Sequence, residues 1–334
     1  MDFLKEIVKE IGSDYAQVAA DKETTEAYID TGSLIFNGLV SGSISGGVSS
    51  NRITAIAGET STGKTYFALA VVKNFLDNNP DAYVLYFDTE SAINKDLLES
   101  RKIDTKRIAI VEVVTIEDFR GKALKAIDMY LKTPIDDRKP CMFVLDSLGM
   151  LSTEKEIRDA LDDKLVRDMT KSQLVKGAFR MLTLKLGQAN VPLIVTNHTY
   201  DVIGAYVPTK EMGGGSGLKY AASTIIYLSK SKEKDGKEVI GNIIKAKTVK
   251  SRLSKENKQV EIRLFYDERG LDKYYGLLEL GEIGGLWKNV AGRYEIDGKK
   301  VYAKAVYKEP EKYFTPEVMQ ALDEIAQKEF SYGN

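Results

Sequence analysis

Residues 58–65 read "GETSTGKT". They match G-x-x-x-x-G-K-[ST] at each fixed position, in the surroundings that the match requires. Before them, "RITAIAG" (52–58) is a short apolar run with β-branched residues, the pattern of a buried strand. After them, apolar residues recur at helical spacing from Lys64 to Leu76. The residue types follow from the chemistry of holding phosphate. Gly58 and Gly63 let the backbone curl so that the amides of Glu59, Thr60, Ser61 and Thr62 face an anion. A helix N-terminus at Lys64 adds partial positive charge. The Lys64 ammonium suits the β- and γ-phosphates, the Thr65 hydroxyl suits Mg²⁺, and Tyr66 follows as a further nucleotide contact. A bare glycine turn that binds nothing carries little weight beside motif and context together. The expected cofactors are ATP and Mg²⁺.

Two acids extend this reading. "CMFVLDS" (141–147) is an apolar run ending in Asp146. A strand that ends in Asp commonly marks only a turn. Downstream of a phosphate-loop strand it becomes the acid near the metal at a strand's carboxyl end. "YFDTES" (86–91) places Glu90 just past another apolar run. There it is either a solvated loop acid or a carboxylate that polarises an attacking water.

Apolar strand patterns at 52–58, 82–88, 141–146, 191–197 and 223–229 alternate with helical patterns at 64–76, 117–132 and 154–189. Such alternation predicts an α/β chain with a mainly parallel sheet. Ahead of it, Phe3, Leu4, Ile7, Val8 and Ile11 share one face of a short helix over 2–11, and a glycine- and serine-rich tract runs from Gly38 to Ser50. Behind it, "GNIIKAKTVKSRL" (241–253) and "KQVEIRLFYDERG" (258–270) read as a hairpin pair with a basic turn. The remainder mixes short strands with a final helix, a small α+β C-terminal domain. The expected division is 1–30 for the N-terminal helix and linker, 31–270 for the core and 271–334 for the tail. A chain of 334 residues is long enough for about two domains. A net charge of −1 gives no global basic signal, yet nucleic-acid binding needs only a local basic stripe. Cys141 is the one cysteine, which excludes an internal disulfide or thiolate cluster and suits a reducing cytoplasm. No apolar run is long enough to span a bilayer, so no membrane partner is expected.

The segment "NHTYDVIGAYVPTKEMGGGSG" (197–217) is different in kind. It leaves an apolar strand pattern, shows little apolar periodicity, and closes on glycines. Its length inside a compact core marks it as functional or disordered. His198, the chain's one histidine, stands at its start as either a satisfied core histidine or a ligand-facing group.

Taken together, these pieces resemble the RecA-type recombinases. "DTGSLIFNGLVSGSISGGVSSNRITAIAGETSTGKT" (30–65) is similar to the entry into that family's ATPase core. "FDTES", "FVLDSLGML", "LIVTNHTYDVIGAY…GGGSGLKYAAS" and "LLELGEIGGLWKNVAGRYEIDGKKV" follow in the family's order. Within it, "ALDDKLVRDMTKSQ" (160–173) and "TNHTY…MGGGSG" look most like the UvsX-type recombinases of tailed bacteriophages. The likeness spans roughly residues 30–300. It implies a RecA-like P-loop ATPase core in which Lys64 and Thr65 bind phosphate and Mg²⁺, Asp146 is the Walker B acid, and Glu90 is the catalytic base. It makes His198 a sensor between the γ-phosphate and a second DNA-binding loop, at a position where many relatives carry glutamine. Residues 199–217 become that loop, with Tyr200, Tyr206, Gly214, Gly215 and Ser216 as candidate contacts. A first DNA loop is expected within 155–168, with Arg167, Lys171, Lys176 and Arg180 as nearby cations. Any one of these cations also reads as a solvated helix face.

"KAKTVKSRLSKENK" (245–258) carries six basic residues against one acid, usually just solvated surface. The resemblance aligns Lys250 and Arg252 with cations inserted into a neighbouring protomer's ATP site. At Leu97 the family often has a tyrosine against the base. The resemblance further implies a helical filament on single-stranded DNA that pairs with duplex DNA. Helix 2–11 would dock on the adjacent core, with a single-strand binding protein and a recombination mediator as partners. The expected location is cytoplasmic, that of a host bacterium for a phage protein. Two other readings share these motifs: a RecA-fold hexameric helicase, and a non-catalytic recombinase paralogue. About 30 residues before the core leave little room for a helicase collar, and an intact "GETSTGKT" with Glu90 argues against a non-catalytic chain.

Overall fold

The computed structural model describes residues 2–12, 27–163, 170–202, 210–296 and 298–333. Helix α1 (Asp2–Ile11) leaves Phe3, Leu4, Ile7 and Ile11 exposed. A two-residue ribbon, β1 (Tyr28–Ile29) on β2 (Val48–Ser49), brackets helix α2 (Leu34–Ser41). The sequence pattern gave no helix there, and the glycine–serine tract overlaps its last turn. Burial of Leu34, Ile35, Phe36, Leu39 and Val40 outweighs the weak local propensity.

The core then runs β3 (Ile53–Gly58), α3 (Lys64–Asn78), β4 (Tyr83–Asp88), α4 (Lys95–Ser100), β5 (Ile108–Glu112), α5 (Ile116–Lys132) and β6 (Cys141–Asp146). It continues through α6 (Glu154–Leu161), α7 (Lys171–Ala189), β7 (Leu193–Asp201), β8 (Lys210–Met212), α8 (Ser216–Ala221), β9 (Thr224–Asp235), β10 (Glu238–Ser251) and β11 (Gln259–Phe265). Among the described residues these strands form one nine-stranded sheet in the order β11-β10-β9-β3-β7-β6-β4-β5, with β8 beside β7. Strands β9, β3, β7, β6, β4 and β5 are parallel; β10, β11 and β8 run against their neighbours. The expected hairpin is therefore β10–β11, joined through β9 to the main sheet. Strand β5 was not expected. It is an edge strand with Ala109 and Ile110 exposed, although Ile108–Val111 is as continuous an apolar run as those of the buried strands.

Both sheet faces are covered. Along β6, Met142 and Val144 enter one apolar cluster while Cys141, Phe143 and Leu145 enter the other. Helices α2 and α3 cover the first face, α5 and α7 the second. The tail adds α9 (Leu277–Ile283), the sheet β12 (Lys288–Val290), β13 (Arg293–Ile296) and β14 (Lys299–Tyr302), then α10 (Ala303–Lys308), α11 (Pro310–Tyr313) and α12 (Pro316–Phe330). Its Leu277, Leu280, Trp287, Leu322 and Phe330 join the first cluster, and the Trp287 indole donates to the Leu278 carbonyl at 2.6 Å. No described helix is long and apolar enough to cross a membrane.

Candidate functional site

Parallel register brings several strand ends level. Gly58 pairs with His198 across β3–β7, and Asp88 with Asp146 across β4–β6. The carboxyl edge of such a sheet is where doubly wound folds leave a crevice for ligands.

The loop from Gly58 to Gly63 turns there. A Cβ on Gly58 would fall 2.6 Å from the Thr62 hydroxyl oxygen and 2.7 Å from the Leu228 carbonyl, so glycine alone fits. Gly63 has a φ of +90°. Thr62 donates its hydroxyl to the Glu59 carbonyl at 2.9 Å, bracing the turn. Lys64 Nζ donates to the carbonyls of Gly58 at 3.1 Å and Glu59 at 2.8 Å. Burial pushes the Lys64 pKa down, opposed by the nearby carboxylates of Asp146 and Glu90. A desolvated ammonium of this kind gains when charged oxygens replace neutral carbonyls, so the loop fits a polyphosphate. Tyr66 lies one turn in, its ring 4.1 Å from the Arg101 guanidinium, and Leu97 packs beside the same cluster.

Asp146 is held by two hydroxyls. Tyr86 donates to Oδ2 at 2.7 Å, and Thr196 donates to Oδ1. Burial and this acid raise the Tyr86 pKa well above its ordinary value, so the phenol stays protonated and donating. The Asp146 carboxylate and the Thr65 hydroxyl are both hard oxygen donors, the ligand chemistry that suits Mg²⁺. Glu90 follows Asp88, whose carboxylate accepts from the amides of Glu90 at 3.0 Å and Ile93 at 2.9 Å and so shapes the turn. Glu90 Oε1 accepts from the Ser147 hydroxyl at 3.0 Å and lies 3.7 Å from His198 Nε2. The structure thus brings Glu90 and His198 together beside the phosphate loop.

From His198 the chain leads into the glycine stretch, and the two are tied. Asn197 Nδ2 donates to the Gly213 carbonyl at 2.8 Å, and the Gly213 amide donates to the His198 carbonyl at 3.0 Å. Strand β8 pairs Lys210 with Asp201 and Met212 with Thr199. Gly214 then lies against Leu148, and Gly215 and Gly217 lie against the first turns of α7. A Cβ on Gly215 would fall 2.8 Å from that of Ser172, and one on Gly217 would fall 2.6 Å from the Lys176 amide nitrogen. Lys176 and, one turn on, Arg180 are exposed, and Tyr200 is 59% exposed. Lys171 sits 3.6 Å from Glu156. The first stretch of the expected DNA loop is helical, because Thr153 and Glu156 cap α6 reciprocally. Arg167 and Tyr206 lie outside the described residues.

Lys250 is not at this chain's own phosphate loop. Its Nζ donates to the carbonyls of Lys219, Tyr220 and Ala222 at 2.7, 3.1 and 2.7 Å, at the end of α8. In register it is level with Ile225 and so with Ala55, whereas Gly58 is level with Leu228. Three strand residues, roughly 10 Å, separate the two levels. Arg252 lies past the end of the same strand.

Two lysines that the sequence reading missed do touch the phosphate loop. Lys230 on β9 donates to the Ser61 carbonyl at 2.7 Å, and Lys210 on β8 forms an ion pair with Glu59. Tyr86, Asp88, Ser147 and Thr196 were missed as well. The contacts of Tyr86, Ser147 and Thr196 join segments far apart in the chain, so no local spacing announces them, whereas Asp88 acts locally on the amides of Glu90 and Ile93.

The sequence profile of the RecA N-terminal domain matches residues 2–272. The chain is similar to the recombination and repair protein of Enterobacteria phage T4, with 33% identity over 261 residues, 78% of this chain and 65% of the phage protein. It is similar to protein RecA of Nocardioides sp. (28% over 258 residues, 77% of this chain and 70% of that one). A third likeness is to protein RecA of Colwellia psychrerythraea (28% over 317 residues, 92% and 87%). The chain therefore spans somewhat less than two thirds of the phage protein.

Proposed function

This chain belongs to the RecA family, and on that premise we propose that it is an ATP-dependent DNA strand-exchange recombinase. Protomers loaded with ATP assemble on single-stranded DNA as a helical filament, pair it with a homologous duplex, and loosen on hydrolysis. One observation carries the reading: His198 stands 3.7 Å from Glu90 at the phosphate-loop edge, and its own strand returns through β8 into the glycine stretch packed on α7. A group at the nucleotide and a candidate DNA surface thereby share one short, hydrogen-bonded element.

The roles follow from chemistry. Loop amides and Lys64 hold the β- and γ-phosphates. Thr65 and Asp146 would hold Mg²⁺, which when bound neutralises charge developing on the phosphoryl oxygens. Glu90 orients the attacking water and takes its proton, held in place by Ser147. His198 senses the γ-phosphate. Gly214, Gly215, Ser216, Lys176, Arg180 and Tyr200 contact DNA largely through its backbone, since base pairing rather than side chains selects the partner strand. Arg167 and Tyr206 remain candidates for the same surface.

The site is completed between protomers. Lys250 and Arg252 lie at a register too far back to reach their own phosphate loop, which favours service to a neighbour. A cation supplied in trans to the transferring phosphoryl group is worth ~10³–10⁵ in rate in related chemistry. The exposed apolar face of α1 is the matching contact for assembly, the 31–270 core carries the chemistry, and the tail beyond 271 lies on its first face. A single-strand binding protein and a loading mediator would act with it in the cytoplasm of a host bacterium.

The test is ATP hydrolysis with and without single-stranded DNA over a range of protein concentration, with Lys64→Ala as the blank. Stimulation by DNA with a cooperative concentration dependence is expected, and electron microscopy should show helical filaments rather than rings. Lys250→Ala should keep nucleotide binding and lose the stimulated rate. Hydrolysis indifferent to DNA and concentration would overturn the reading.

A further inference from the structure

The loop that holds phosphate contains an acid. Glu59 follows Gly58 directly, and a carboxylate there repels a polyphosphate in the same loop. Lys210 is what answers it: the ion pair between them, with its hydrogen bond, also holds the Glu59 carboxyl below the usual range. Lys210 reaches the loop from a different segment of the chain. It opens β8, opposite Asp201 in the ladder, and β8 is the strand whose other end passes through Gly213 into the Gly214–Ser216 stretch. That end is anchored twice, by Asn197 to the Gly213 carbonyl and by the Gly213 amide to His198. Its continuation rests on α7 at Ser172 and Lys176.

We infer that the Glu59–Lys210 pair couples the two ligands, so that DNA on the glycine stretch and ATP in the phosphate loop each raise the other's affinity through it. The inference rests on the ATP and DNA reading above. Bound DNA steadies β8 and keeps Lys210 on Glu59, which removes the repulsion a polyphosphate meets. Reciprocity then requires nucleotide to favour DNA by the same factor. Both side chains are partly exposed, at 40% and 57%, so the coupling is modest, up to about five-fold. Lys230 provides a contrast: it holds the Ser61 carbonyl from β9, a strand that does not pass through the glycine stretch.

The experiment is equilibrium binding of a fluorescent, slowly hydrolysed ATP analogue to the full chain, with and without oligothymidylate. The readout is the ratio of the two dissociation constants, which a change in DNA-free affinity alone does not move. Wild type should show a ratio above one. K210M and E59Q should each lower it two- to five-fold, the double variant no further, and the charge-swapped E59K/K210E should not restore it, because bound DNA then masks an attraction for polyphosphate instead of a repulsion. K230M should leave it unchanged. An undiminished ratio in K210M would overturn the inference. So would a K210M effect that persists in the E59Q background, which would make Lys210 a direct DNA contact, or an equal loss in K230M. A wild-type chain that binds both ligands with a ratio of one would overturn the inference as well, whereas one that binds either ligand poorly would overturn the underlying function.

Discussion

The Lys64 ammonium is a desolvated cation, and its pKa is lowered chiefly by burial. Bound polyphosphate stabilises the charged form and raises that pKa again. Affinity for an ATP analogue should therefore be full while the free-state lysine is protonated and decline as pH rises through its lowered pKa. The fall should begin below the ordinary lysine value of about 10.4. Titrating analogue binding from pH ~7 to ~10 checks this, and a decline that starts no earlier than for an ordinary lysine would contradict it. At this scale the sequence was legible wherever chemistry is local. Gly58, Gly63, Lys64 and Thr65 are read from one octapeptide. What it hid were long-range partners: Lys210 and Lys230 stand 151 and 169 residues away from the octapeptide atoms they bind, and Thr196 stands 50 from Asp146. Only strand register brings them near, and register is a property of the sheet.

Helices α7 and α8 meet almost backbone to backbone at Gly217. Gly217→Ala places a methyl where the Lys176 amide already stands, so α8 must shift. Overpacking of this kind costs typically ~1–3 kcal/mol. The displaced element is the one that seats the glycine stretch. Anisotropy of a labelled oligonucleotide should report weaker binding of single-stranded DNA, while analogue affinity without DNA stays near wild type. Equal loss of both would mean that α8 supports the whole site rather than one side. Strands buried on both faces, such as β3, β6 and β7, show as continuous apolar runs. The edge strand β5 was overlooked although Ile108–Val111 is also an apolar run, and α2 is concealed because its last turn reads as part of a glycine–serine tract.

Across the whole molecule, the tail and the core share one apolar cluster. Phe330 on α12 and Phe36 on α2 belong to it, as does Trp287, the one tryptophan, at 5% exposure. Phe330→Ala should cost about 3–5 kcal/mol, and the loss should be felt by the core as well as by the tail. Trp287 fluorescence reports the tail and far-ultraviolet circular dichroism reports the whole chain. In denaturant their transitions should coincide, and both should move together in the variant. Separate midpoints would show the tail to be a unit that melts by itself. The centre of the sheet holds one more probe. Cys141 is 2% exposed on β6, with burial pushing its thiol up to about 12. A thiol that is neither reachable nor ionised is inert to alkylating reagents. Native protein should thus resist maleimide, and modification should advance only at the rate at which the central strands part. A cysteine engineered onto the surface would accordingly carry a dye alone, with no need to remove the natural one.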